Sequence, residues 1–95
     1  VLFSGVYVAP GAVVRDSVIF SDSKILGGAV INYSMLDHDV VVGTGAVVGE
    51  EKNKGGKIAV VGADVSINPG EVVKGGAMLY PQTEKELEKE KYEDD

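Results

Sequence analysis

The chain has 95 residues, one histidine, no cysteine and a formal net charge of −6. That length supports one domain with a small core, and the missing cysteines exclude a disulfide framework and thiol nucleophiles. The acidic balance leaves no basic face or aromatic stacking set for nucleic acid, and neither an apolar run of membrane length nor a signal peptide is present.

From Val1 to Val48 the chain repeats at a period of 17 residues. Gly11-Ala12-Val13-Val14 returns as Gly28-Ala29-Val30-Ile31 and again as Gly45-Ala46-Val47-Val48. Large aliphatic residues stand at 2, 8, 14, 19, 25, 31, 36, 42 and 48, in steps of six, six and five. Two positions before most of them lies a second recurring residue: Val6, Ser23 and Val40; Ala12, Ala29 and Ala46; Ser17 and Ser34. Side chains two apart on a strand share a face, so each pair points inward and the residue between them outward. Turn formers separate the pairs, among them Pro10-Gly11, Ser21-Asp22, Asp37-His38-Asp39 and Thr44-Gly45.

Each 17-residue unit therefore reads as three very short strands and three corners. Strands this short are stable only when the coils stack and pair edge to edge. The expected fold is all-β, a parallel β-helix of triangular section over residues 1–80, with four to five coils. A β-sandwich of short strands is the competing fold, but it does not require identical residues at fixed spacing. Because Val1 already stands in strand register, the chain reads as a fragment of a longer protein.

After Val48 the register breaks. Residues 50–57 are polar and glycine-rich, and they read as a loop inserted at a corner. Steps of six resume through Val61, Ile67, Val73 and Leu79, with Glu71 at a position where a small inward residue is expected. Residues 81–95 read as an acidic tail or a capping helix. Seven acidic and three basic residues fall within 84–95. Thr83 and Glu86 form a capping-box pattern, which places a short C-terminal helix over about 84–92 with Leu87 as its apolar contact. A solvated tail is the alternative.

Candidates for chemistry are few. His38, between Asp37 and Asp39, is either a general base or a solvated corner residue. A three-histidine zinc site is excluded by the histidine count. Asp37 and Asp39 read as turn residues rather than cation ligands. Lys52, Lys54 and Lys57 form the one local basic cluster and are the effector-binding candidates, for a phosphorylated ligand. No phosphate-binding glycine loop is present; the glycines recur with the corners. The outward positions are more telling. Val13, Val30 and Val47 form an apolar column, Val18 and Met35 begin another, and Tyr7 and Val41 flank Lys24 on the third side. Contiguous exposed apolar residues mark docking surfaces, so these five residues of the first two columns are the expected interface.

The phrase Val42-Gly43-Thr44-Gly45-Ala46-Val47 is similar to the hexapeptide repeat of left-handed β-helices, and that resemblance implies left-handed coils. Several segments are more specific: Val1 to Val8, Val14-Arg15-Asp16-Ser17-Val18-Ile19, Ile31-Asn32-Tyr33, Leu36-Asp37 and Val40 to Gly43. Together, over about residues 1–80, they resemble the C-terminal domain of bacterial glucose-1-phosphate adenylyltransferase (ADP-glucose pyrophosphorylase), especially glycogen-biosynthesis subunits that include the regulatory-type partner.

That resemblance implies a cytoplasmic parent enzyme that uses ATP and magnesium to make ADP-glucose. Its active site would lie in an N-terminal nucleotidyltransferase domain that this sequence does not contain. No catalytic residue, metal site or cofactor is therefore assigned to this chain. The implied partners are that N-terminal domain, further subunits of a homo- or hetero-oligomer, and a phosphorylated sugar effector in allosteric regulation. Two alternatives stay open: a trimeric hexapeptide acyltransferase with His38 as base, and the β-helix of another sugar-nucleotide pyrophosphorylase such as a mannose-1-phosphate guanylyltransferase.

Overall fold

The computed structural model describes residues 1–52 and 55–81. Lys54 and the expected C-terminal helix with Thr83, Glu86 and Leu87 lie outside the described residues. Twelve strands of two or three residues follow one another: β1 (Tyr7–Val8), β2 (Val13–Arg15), β3 (Val18–Ile19), β4 (Lys24–Ile25), β5 (Val30–Asn32), β6 (Ser34–Leu36), β7 (Val41–Val42), β8 (Val47–Val48), β9 (Ala59–Val61), β10 (Ser66–Ile67), β11 (Val72–Val73) and β12 (Met78–Leu79). Each strand pairs in parallel with the third strand before or after it, which gives three four-stranded sheets in the orders β1-β4-β7-β10, β2-β5-β8-β11 and β3-β6-β9-β12. This is the parallel β-helix that the 17-residue period predicts.

Register follows the sequence columns. Val14 pairs with Ile31, Ile31 with Val48, and Val48 with Val73. Ile19 pairs with Leu36, and Leu36 with Val61. The inward ladders are sealed: Ile19, Ile25, Ile31, Leu36, Val42, Val48 and Val61 are fully buried, as are Ala29, Ala46, Val40, Ser23 and Ser34. Each large aliphatic side chain taken wholly out of water contributes roughly 1.5–3 kcal/mol. This stacked column, rather than any single strand, holds the prism together. Burial weakens at the first coil, where Leu2 is 51% exposed and Val8 and Val14 are half-buried, because nothing stacks on that side of them among the described residues.

Two corner types recur. In the first, a residue donates its N–H to the carbonyl three positions earlier: Ala12 to Ala9, Ala29 to Leu26, Ala46 to Gly43, Glu71 to Asn68 and Ala77 to Lys74, at 3.1–3.2 Å. The residue before each donor is a glycine with φ between 71° and 84°, the signature of a type II turn. Glu71 thus occupies the turn position of the alanine column. Its side chain, however, is exposed and accepts the Asn68 N–H at 3.1 Å. Among the described residues β11 is an edge strand, with no further coil stacked beyond it to hold that side chain inward.

The second corner carries Gly5, Asp22, Asp39 and Asp64, with φ of 77°, 63°, 56° and 63°. Aspartate tolerates this left-handed backbone better than most side chains, so the aspartates stack as a column of corners. The insertion between β8 and β9 lengthens one coil only. Val42 pairs with Ile67, 25 positions on, where Ile25 pairs with Val42 at 17.

Candidate functional site

Outward residues of the sheets continue both apolar columns read from the sequence. Val13, Val30 and Val47 are in register with one another and with Val72, which is 67% exposed. Val18 and Met35 are in register with Val60 and Met78 on the second face. Phe3 and Phe20 meet at the margin of that face, their ring centroids 4.7 Å apart. The third face is mixed: Tyr7, Lys24, Val41 and Ser66 form its outward ladder. Two flat faces of the prism therefore present unbroken apolar ladders, and contiguous patches of this kind are uncommon on surfaces that stay solvated.

A groove of about 510 Å³ opens where the inserted loop folds back on the earlier coils, lined by Arg15, Asp16, Asn32, Tyr33, Glu51 and Lys52. Arg15 and Asn32 end paired strands β2 and β5, which brings them side by side. Arg15 Nη1 donates to Asn32 Oδ1 at 3.3 Å and to Glu51 Oε1 at 3.2 Å. Lys52 Nζ stands 5.8 Å from the centroid of the Tyr33 ring, within range of a cation–π attraction. Tyr33 holds φ at 43°, an unfavourable backbone for a bulky residue.

Two of the three lysines grouped in the sequence are among the described residues, Lys52 and Lys57. Lys52 joins the groove, whereas Lys57 lies against the last described corner, its carbonyl accepting the Gly76 N–H at 2.9 Å. Sequence reading missed Arg15, Asn32 and Tyr33 as groove residues. One signal was available: Arg15 is the only arginine of the chain, and it falls in the same column as Asn32.

His38 sits on the aspartate corner. Its Nδ1 and Asp39 Oδ2 are 2.8 Å apart, and both side chains are 53% exposed. The hydrogen bond to Asp39 raises its pKa above the ordinary 6.5, and the charges of Asp37, Asp39 and Asp64 act the same way. Ligand atoms of His38, Asp39 and Asp64 lie within 4.8 Å of one another, all on exposed residues. No helix among the described residues is long and apolar enough to cross a membrane.

Comparison with known proteins adds two findings. Residues 1–64 match the family described as GlmU-like, C-terminal hexapeptide. Over 80 residues, 83% of its length, the chain is 51% identical to the glucose-1-phosphate adenylyltransferase of Clostridium perfringens (strain 13 / Type A), of which it covers 19%. No solved structure matches the chain.

Proposed function

The chain belongs to the family of GlmU-like C-terminal hexapeptide domains, and from that premise we propose that it is the C-terminal regulatory and oligomerisation module of a glucose-1-phosphate adenylyltransferase serving glycogen synthesis. The observation that carries this reading is the pair of uninterrupted outward ladders, Val13-Val30-Val47-Val72 and Val18-Met35-Val60-Met78. The 51% identity to an adenylyltransferase over 80 residues supports the choice of parent.

In this reading one apolar face packs on an N-terminal nucleotidyltransferase domain and the other on a further subunit of a homo- or hetero-oligomer. The parent enzyme supplies the site for ATP, magnesium and glucose 1-phosphate. The β-helix is suited to carry a response from a bound phosphorylated sugar to that site, because stacked coils with sealed ladders move as a rigid body. The location proposed is cytoplasmic, with the parent.

The test is an assay of the chain alone and of the parent protein. The chain by itself converts no ATP and glucose 1-phosphate to ADP-glucose, whereas the intact parent does. Turnover by the chain alone would overturn the division of roles.

A further inference from the structure

We propose that His38, Asp39 and Asp64 form a binding site for a divalent transition-metal ion of the zinc type, at the corner where the β6–β7 turn stacks on the β9–β10 turn. The proposal does not rest on the module reading above.

Turn chemistry accounts for the aspartates of this column and not for the histidine. Four successive corners carry Gly5, Asp22, Asp39 and Asp64, all at positive φ. The residues just before them are Ser4, Ser21, His38 and Ala63. A small side chain suffices there in three coils, so the corner itself has no need of an imidazole. Asp37 serves the turn, its Oδ1 accepting the His38 N–H at 2.7 Å. Asp39 and Asp64 are the carboxylates that meet the ring. His38 Nδ1 stands 2.8 Å from Asp39 Oδ2, and the ligand atoms of His38, Asp39 and Asp64 all lie within 4.8 Å of one another. Among the described residues, no other group of three such side chains converges in this way.

The backbone fixes where these ligands start. The Asp39 N–H donates to the Ser21 carbonyl at 3.0 Å, and the Asp64 N–H donates to the His38 carbonyl at 3.1 Å. The two corners are therefore locked one above the other, and only side-chain rotation is needed to close the site. Ligands about 2.1 Å from a tetrahedral zinc ion lie about 3.4 Å apart. Exposed side chains reach that spacing from 4.8 Å by small rotamer adjustments. The ion takes the place of the proton between Nδ1 and Asp39 Oδ2, which leaves to solvent, and water fills the remaining position.

The donor set selects the ion. One imidazole nitrogen and two carboxylate oxygens suit zinc, nickel or copper, whereas magnesium and calcium prefer oxygen ligands alone. The site also spans the insertion between β8 and β9, since His38 and Asp39 precede it and Asp64 follows it. A bound ion thus clips the lengthened coil to the one before it, and a ligand that binds only the folded chain stabilises it.

The experiment is calorimetric titration of the full chain, without a histidine tag, with zinc chloride and separately with magnesium chloride. One zinc ion binds per chain, magnesium does not compete with it, and added zinc raises the thermal midpoint. His38→Gln and Asp64→Asn each weaken zinc binding about tenfold or more, as expected when a ligand is lost. Asp22→Asn, in the same corner column but beside Ser21, leaves it unchanged. Asparagine accepts the backbone of these corners, and circular dichroism checks that each variant is folded. Absence of saturable zinc binding overturns the proposal. So does undiminished binding in folded His38→Gln, or an equal loss in Asp22→Asn, since either means diffuse attraction of cations to an acidic surface.

Discussion

Ser23 Oγ accepts the N–H of Val40, the residue 17 positions on, at 3.0 Å, and donates to the carbonyl of Asp37 at 2.8 Å. The other two inward serines, Ser17 and Ser34, donate instead to the carbonyl two residues back. Ser17 Oγ accepts the Ser34 N–H at 3.0 Å and donates to the Arg15 carbonyl at 2.7 Å. These hydroxyls stand inside the prism because the corners interrupt the backbone ladder, and the groups left over must be satisfied without water.

Ser23→Ala therefore strips a partner from the buried Val40 N–H and from the part-buried Asp37 carbonyl. The expected loss of stability is about 2 kcal/mol, in the range for orphaned buried polar groups. Ser4→Ala, at an exposed position, is expected to change stability by less than about 0.5 kcal/mol. Urea denaturation of the two variants distinguishes these outcomes.

Gly49→Ala is expected to be more severe than its size suggests. Gly49 has φ 78°, and a Cβ there would collide with the Asn32 carbonyl oxygen and the Ser34 hydroxyl. The carbonyl is backbone in the neighbouring coil and cannot step aside. A loss of at least about 2 kcal/mol follows from combined overpacking and backbone strain, readable as a lowered urea midpoint.

Tyr33→Asn is expected to stabilise the fold by roughly 0.5–1 kcal/mol, because asparagine accepts φ near 43° more readily than tyrosine. The same change removes the ring beneath Lys52, whose Nζ stands 5.8 Å from its centroid. A raised thermal midpoint is the expected result, and an unchanged or lowered midpoint would mean that the ring's contact with Lys52 outweighs the backbone strain.

His38 gives the fold a pH dependence of known sign. Its folded pKa is raised above 6.5, first by the hydrogen bond to Asp39. A raised pKa contributes stability that is fully present below the unfolded value and is lost as pH rises through the folded value. Stability should fall slightly as pH rises from below 6.5, and His38→Gln should abolish that slope. A slope of opposite sign would mean that the Asp39 contact does not form in solution.

The fold was legible because every inward column is a repeat. Ile19, Ile25, Ile31, Leu36, Val42 and Val48 all fall on the predicted ladder and are fully buried. Glu71 broke the pattern in sequence, and the structure explains it: the turn is kept, and among the described residues no further coil stacks beyond β11 to hold the carboxylate inward. The groove was hidden for a different reason. Its contacts run from Arg15 to Asn32 at one coil's distance and to Glu51 at two, the second through an insertion that has no place in the repeat. Periodicity predicts what stacks, and an inserted loop folding back lies outside it. Lys52 was singled out for its neighbours in sequence, whereas its neighbours in space are Arg15 and Tyr33.

The central claim is that the outward valines are covered. Its most direct test is sedimentation of the parent protein carrying Val30→Lys, with circular dichroism to show that the β-helix is intact. Val30 sits mid-ladder between Val13 and Val47, so a lysine there places a charge at the centre of the covered face while leaving the inward core untouched. The account predicts a folded protein of reduced mass. A folded variant that sediments as the unaltered assembly does would contradict it.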